Sequence, residues 1–269
     1  MFPVSVVIVT KDEEKNIEDA LKSVSDAQEI IVVDSFSTDG TIDICGKFTD
    51  KVYQQHWQGY ARQKQMAVDY AIGPWVLILD ADERLTAELK DEIRETLSRT
   101  DYHGFYLPRK NFFLGKWIRH SGWWPDHTLR LFRKDKAFLE DREVHEKVIL
   151  NGPAGYLKNP LEHYTYRTIA DFLKKMENYS TLAVKEMRKK SGRSGIFSVT
   201  IKPVFTFVKM FFLRLGFMFP TRFWGHRLVA LYTYSQIGIQ LESLLRIKAP
   251  AALSMPNFPS EALNRWGRS

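Results

Sequence analysis

Two carboxylates one residue apart, Asp80 and Asp82, follow the apolar run Trp75 to Leu79. Side chains of extended backbone alternate in direction, so this pair points to one side. Two such groups suit a hard divalent cation, Mg²⁺ or Mn²⁺, that bridges to a diphosphate and neutralises charge on a leaving phosphate. A solvated turn gives the same string, as does Asp82 capping a helix that begins near Thr86. Asp34 and Asp39 flank a second polar stretch, Ser35 to Thr38, at the end of the run Glu29 to Val33. A carboxylate there suits the imide of a pyrimidine or a ribose hydroxyl, with Thr10 and Glu13 closing over the base. For Asp39 a helix N-cap is an equal reading.

Arg130 and Arg133 alternate in Thr-Leu-Arg-Leu-Phe-Arg, where forked donors could face a diphosphate or an acidic acceptor. Solvated charges on a strand edge would read the same way. Trp123 and Trp124 could stack on sugar rings or serve as plain core.

The elements that must position these groups are legible in the apolar pattern. Val4 to Val9 is a β-branched run, followed by Ile17, Ala20, Leu21 and Val24 at helical spacing. Glu29 to Val33, Lys51 to Tyr53 and Trp75 to Leu79 repeat the strand signal. The stretch Ala61 to Ala71 is helical and stops at Gly73-Pro74. Strands alternating with helices predict an α/β fold with a mostly parallel sheet covered on both faces, whose ligands bind at the carboxyl ends of the strands. Thr10 to Glu14, Asp34 to Asp39 and Asp80 to Glu83 all fall at that edge. After residue 100 the pattern turns to short aromatic strands, at Gly104 to Pro108, Thr128 to Arg133 and Lys147 to Leu150.

The 269 residues, 44% apolar and 26% charged, match an ordinary globular protein and argue against a disordered chain or a polytopic membrane protein. A single cysteine, Cys45, excludes an internal disulfide and suits a reducing cytoplasm. Met1 to Thr10 has no basic flank and reads as a strand instead of a secretory signal. The net charge of +7 is divided unevenly: residues 1–150 hold 21 Lys+Arg against 26 Asp+Glu, residues 151–269 hold 18 against 6, which is −5 and +12. An acidic catalytic half and a basic docking half are expected.

The segments Val4 to Glu14, Ile30 to Thr41 and Leu77 to Glu83 resemble the three N-terminal motifs of glycosyltransferase family 2. Within it, the chain is similar to the lipopolysaccharide core subgroup, the WaaE-like β-1,4-glucosyltransferases. The resemblance covers residues 1–170; the tail is similar in character. It implies a GT-A fold and inverting transfer from a uridine-type donor held at Thr10, Glu13, Asp34 and the Asp80/Asp82 pair. An inverting displacement needs a base to deprotonate the acceptor hydroxyl. The subgroup's Val-His-Glu makes Glu146 the first candidate here, and Asp141 of Glu140-Asp141 the second. His163, in Leu-Glu-His-Tyr-Thr-Tyr, is similar to a late histidine of related enzymes that completes the metal shell, and a structural histidine is the alternative.

Residues 1–168 are accordingly expected to form the catalytic domain, with a nucleotide-sugar half at 1–100 and an acceptor half at 101–168. A basic, aromatic helical extension would occupy 169–250, and a poorly ordered tail 251–269. From Lys185 to Arg227 there are ten Lys+Arg, one acid, eight Phe and one Trp. Lys202, Thr206 and Lys209 share one helix face, with Phe205, Val208, Phe212 and Leu215 elsewhere, the pattern of an interfacial helix on an anionic membrane. Packing against the catalytic domain or a twin subunit is the alternative. No apolar stretch of 18 residues is free of charge, since Lys202, Lys209 and Arg214 interrupt Ile196 to Phe219. The expected partners are a nucleotide diphosphate-sugar, a lipopolysaccharide-core or other lipid-linked glycan, and the inner face of the cytoplasmic membrane. A contiguous greasy block is no stacking platform, which disfavours nucleic acid. A nucleotidyltransferase would open on a Gly- and Lys/Arg-rich loop that Thr10 to Glu14 lacks. A non-catalytic binding module remains as a third reading.

Overall fold

The computed structural model describes residues 2–98, 100–140 and 147–166, together with 168, 170–172, 175, 201 and 204–215. The β-branched run forms strand β1 (Phe2–Thr10), whose alternate side chains are nearly all buried, as a strand covered on both faces requires. It pairs in parallel with β2 (Ala27–Asp34) on one side and β4 (Trp75–Asp80) on the other, and β3 (Val52–Gln54) extends β2 in parallel. Register places Thr10 beside Asp34 and Val9 beside Asp80, so the polar ends of three strands share one edge.

Beyond β4 the sheet becomes mixed. Strand β8 (Asp126–Arg133) runs antiparallel between β4 and β6 (Gly104–Phe113), and β12 (Leu161–Tyr166) follows β6 in parallel. Strand β5 (Glu83–Leu85) closes that end, antiparallel to β12, and β7 (Lys116–Trp117) and β11 (Ala154–Tyr156) add to β6. A separate ribbon joins β9 (Ala137–Glu140) to β10 (Lys147–Leu150). The order β3-β2-β1-β4-β8-β6-β12-β5 carries the chain from the parallel half into the aromatic half within one sheet.

Helices α1 (Ile17–Ser23), α2 (Thr41–Cys45) and α4 (Ala87–Leu97) cover one face, where Ile17, Leu21, Cys45, Leu89 and Ile93 pack on Val6, Ile8, Leu77 and Leu79. Helix α3 (Tyr60–Tyr70) covers the other, setting Ala61, Ala67 and Val68 on Val7, Ile31, Val33 and Ile78. Helix α4 starts where Thr86 accepts the Leu89 N–H at 3.2 Å, so Thr86, and not Asp82, caps it. Of the basic extension, residues 204–208 are helical and run into a π-helical turn at Lys209–Leu213. Phe205, Phe212 and Leu213 are 61, 56 and 73% exposed, whereas Phe207, Met210 and Phe211 on another face are half-buried. Among the described residues, the Ser121 N–H donates to its Arg214 carbonyl at 2.8 Å. No described helix is long and apolar enough to cross a membrane.

Candidate active site

The site is built where β1, β2 and β4 end. The loop after β1 and the loop after β2 are fastened together: the Asp12 N–H donates to Ser37 Oγ at 2.8 Å and the Thr38 N–H to Asp12 Oδ1 at 2.8 Å. The Glu13 N–H donates to Thr41 Oγ1 at 2.8 Å and the Gly40 N–H to Glu14 Oε2 at 2.9 Å. Asp34 is fully buried and takes the Ser37 N–H at 2.8 Å. Asp39 accepts from the N–H groups of Thr41 and Glu14, both at 3.1 Å, the cap-like use foreseen as its alternative. Both carboxylates therefore shape the rim. Thr10 Oγ1 is buried and has no hydrogen-bond partner among the described residues, nor has Gln63 Oε1. The Glu13 carboxyl lies close enough to Asp82 to respond to its charge: burial, and then Asp82, raise its pKa, against the Asn16 amide at 2.7 Å, which lowers it.

Asp80 and Asp82 take different partners. Asp80 meets the buried Lys64 of α3 at 2.8 Å and the buried Arg130 of β8, while its N–H donates to Glu83 at 2.9 Å. Arg130 also pairs with the fully buried Glu83 at 2.8 Å. Burial by itself would raise the Asp80 carboxyl; the charges of Arg130 and Lys64 outweigh it and hold the group well below the ordinary carboxylate range. Arg130 is buried and pairs with two acids at once, the fully buried Glu83 and the half-buried Asp80. Arg133 is on the surface, 3.3 Å from Asp135.

Asp82 Oδ2 lies 3.4 Å from His163 Nε2 and 3.5 Å from Lys175 Nζ, and the Asp82 carbonyl accepts the Tyr164 N–H at 2.9 Å. Burial raises the Asp82 carboxyl too, yet His163 and then Lys175 lower it below its ordinary range. Trp123 leans on Tyr166 with ring centres 6.4 Å apart, and Trp124 meets Trp117 edge-on at 5.3 Å. Glu146 and Asp141 lie outside the described residues.

The match to the family model described as glycosyl transferase family 2 spans residues 5–165. The chain belongs to that family. As a family 2 glycosyltransferase it is 30% identical to an uncharacterized glycosyltransferase of Rickettsia felis, over 98% of this chain and 99% of that protein. It is 28% identical to the lipopolysaccharide core biosynthesis glycosyltransferase LpsC of Rhizobium meliloti, over 78% of this chain and 81% of that one. A mannosyltransferase of Pyrobaculum calidifontis, solved with GDP-Man and Mn²⁺, superposes with a TM-score of 0.55 at 15% identity. That likeness covers 89% of this chain and 87% of the other and speaks for the fold, the GT-A-like α/β sheet expected from sequence.

A divalent ion is the group such an enzyme would hold. Among the described residues no cluster of three or more His, Cys, Asp or Glu side chains forms a cation site. Asp82 and His163 nevertheless fit two positions of one. Their 3.4 Å separation is close to the ~3 Å expected of adjacent ligand atoms about 2.1 Å from a small divalent ion. Asp80, occupied by Lys64 and Arg130, fits less well as a ligand than as an anchor for the turn.

The family 2 site contains groups that sequence reasoning passed over. Lys64 sits at the spacing of Ala61, Ala67 and Val68 along the buried stripe of α3, and a lysine on that stripe is a signal for a buried carboxylate partner. Glu83, Asn111 and Lys175 carried no comparable signal.

Proposed function

We propose that this family 2 glycosyltransferase transfers a hexose, with inversion, from a nucleotide diphosphate-sugar to a lipopolysaccharide-core or other lipid-linked glycan at a membrane surface. The single observation that carries the donor half of this reading is the Asp82–His163 pair, 3.4 Å apart, beside the joined rim of β1 and β2. The nucleotide lies along that rim. The Thr10 hydroxyl, buried with no hydrogen-bond partner among the described residues, lies beneath the base or ribose, and Asp34 and Asp39 act through the loop they hold in shape.

Asp82 and His163 would hold the divalent ion, which would supply Lewis-acid stabilisation of the leaving diphosphate. Lys175, 3.5 Å from Asp82, adds positive charge on the same side of the turn. Asp80 keeps its negative charge at all working pH values, because Lys64 and Arg130 favour the ionised form, and so fixes the strand end from which Asp82 projects. Glu146, or failing it Asp141, takes the acceptor proton as the hydroxyl attacks.

The membrane part of the reading rests on the extension. Residues 204–215 expose Phe205, Val208, Phe212 and Leu213 with Lys209 and Arg214 among them, and the half of the chain to which they belong carries +12. An apolar face flanked by cations suits an interfacial helix on anionic lipid. The likeness to LpsC supports a lipopolysaccharide-core acceptor. The WaaE-like β-1,4-glucosyl specificity belongs to the same proposal.

Nucleoside diphosphate release from a panel of UDP-, GDP- and ADP-sugars, with and without Mn²⁺, tests the donor half. Metal-dependent release from one or a few donors is expected. Release of pyrophosphate from a nucleoside triphosphate and a sugar phosphate would point to a nucleotidyltransferase. Binding of a sugar nucleotide with no turnover, even with glycolipid acceptors present, would point to a non-catalytic module.

A further inference from the structure

Asn111 lies in β6, 5% exposed, directly across the ladder from His163. The two ends of its amide are not interchangeable. Nδ2 reaches the Trp123 carbonyl at 3.1 Å and Asp126 Oδ2 at 3.3 Å, and both of those are acceptors. A flipped amide would set oxygen against two acceptors, so the nitrogen belongs on that side. The amide oxygen is therefore the end that lies 2.6 Å from His163 Nδ1. An amide oxygen only accepts, so Nδ1 carries the proton. The Thr165 hydroxyl, 3.1 Å from the same nitrogen, can accept from it as well. Asp126 cannot swing away, because Arg109 grips it through Nε at 3.0 Å and Nη2 at 2.7 Å.

The consequence appears at the other side of the ring. With the proton committed to Nδ1, the neutral imidazole presents a bare Nε2 lone pair to Asp82 Oδ2 across 3.4 Å. Two electron pairs facing each other at that distance repel, and a cation between them relieves the repulsion.

We infer that Asn111, backed by Asp126 and Arg109, is a positioning residue that holds His163 in its Nδ1–H form and so aims Nε2 at Asp82 as a cation ligand. The ligand role rests on the proposed function of the Asp82–His163 pair; the proton position on the ring does not. Partners of this kind fix the tautomer and orientation of ligating histidines, and their loss weakens metal binding about 10- to 100-fold.

Nitrogen-15 NMR of the full chain, metal-free and at a pH where imidazole is neutral, reads the tautomer directly, with His163→Gln assigning the signal. The wild type should show a protonated Nδ1 and a bare Nε2. Asn111→Ala should give a mixture of tautomers and bind Mn²⁺ about 10- to 100-fold more weakly by electron paramagnetic resonance. A wild-type ring protonated at Nε2 overturns the inference, and so does an Asn111→Ala protein with unchanged tautomer and unchanged affinity. Should Asn111→Ala fail to fold, the wild-type spectrum decides by itself. Asp82→Ala and His163→Gln serve as the separate control on the metal site. Undiminished Mn²⁺ binding in both would remove the ligand role proposed for that pair and leave the tautomer to be judged from the spectrum.

Discussion

Arg130→Met takes a cation from two acids at once and nearly preserves volume. Glu83, fully buried, would keep the Asp80 N–H at 2.9 Å and Arg109 Nη1 at 3.8 Å; Asp80 would keep Lys64 at 2.8 Å. Removing one partner of a buried ion pair costs about 3–5 kcal/mol, because the other charge stays behind desolvated. The surviving contacts put this variant at the lower end, about 3 kcal/mol. That is a large share of the ~5–15 kcal/mol that stabilises a typical domain. Urea unfolding followed by tryptophan fluorescence, on wild type, Arg130→Met, Glu83→Gln and the double variant, measures it. The double variant should lose less than the sum of the singles, since an amide at 83 no longer needs a counter-charge. The pH dependence has a definite sign. The folded Asp80 carboxyl is held below its ordinary 3.8, so it contributes stability above that value, lost as pH falls through the folded value. Arg130→Met raises the folded pKa of Asp80, and its gap from wild type should be widest near neutrality and narrow under acid. A gap below about 1 kcal/mol, or one indifferent to pH, would refute the compensation assigned to Arg130.

Asp82→Ala should lower turnover by at least about 100-fold, given a Lewis-acid contribution of several kcal/mol at about 1.4 kcal/mol per tenfold, and should also lower the melting temperature near neutral pH, because it removes a carboxylate that His163 and Lys175 hold ionised. Steady-state rates at saturating Mn²⁺ check it, and undiminished turnover would count against the site. Glu13, whose pKa burial raises above 4.5, is more costly ionised than in the unfolded chain. Glu13→Gln should therefore be more stable than wild type at neutral pH, with the advantage disappearing below about pH 4.5, as thermal melts across pH would report. Thr86→Ala removes the acceptor of the Leu89 N–H and should cost about 0.5–2 kcal/mol in urea unfolding. Phe205→Ser, Phe212→Ser and Leu213→Ser together should release the protein from anionic vesicles in co-sedimentation; retention equal to wild type would end the docking role of the extension.

The parallel half was legible because its physics is local. Val4 to Val9, Ile30 to Val33 and Val76 to Leu79 are β-branched or aliphatic runs buried on both faces, and each ends on a polar group at the ligand edge. The aromatic half was legible only in part, since its strands alternate and find partners far along the chain. Glu83 to Leu85 read as the continuation of an acidic turn, yet they form β5 against Leu161 to His163, which no short-range pattern announces. The same distance hid the partners of the site. Arg130 offered a charge on an alternating strand, and the choice among ligand, solvent and buried acid depended on Glu83, 47 residues away. Asn111 looked like any polar residue in a strand until His163 arrived beside it, 52 residues later.

The interlocked loops after β1 and β2 bear on any attempt to change the donor. Asp12, Glu13 and Glu14 of one loop exchange bonds in both directions with Ser37, Thr38, Asp39, Gly40 and Thr41 of the other. Grafting either loop by itself from a relative with another sugar preference would strand donors and acceptors in its neighbour. Retargeting calls for transplanting residues 10–16 and 34–41 as one cassette, and a library that randomises a single loop will spend most of its members on broken seams.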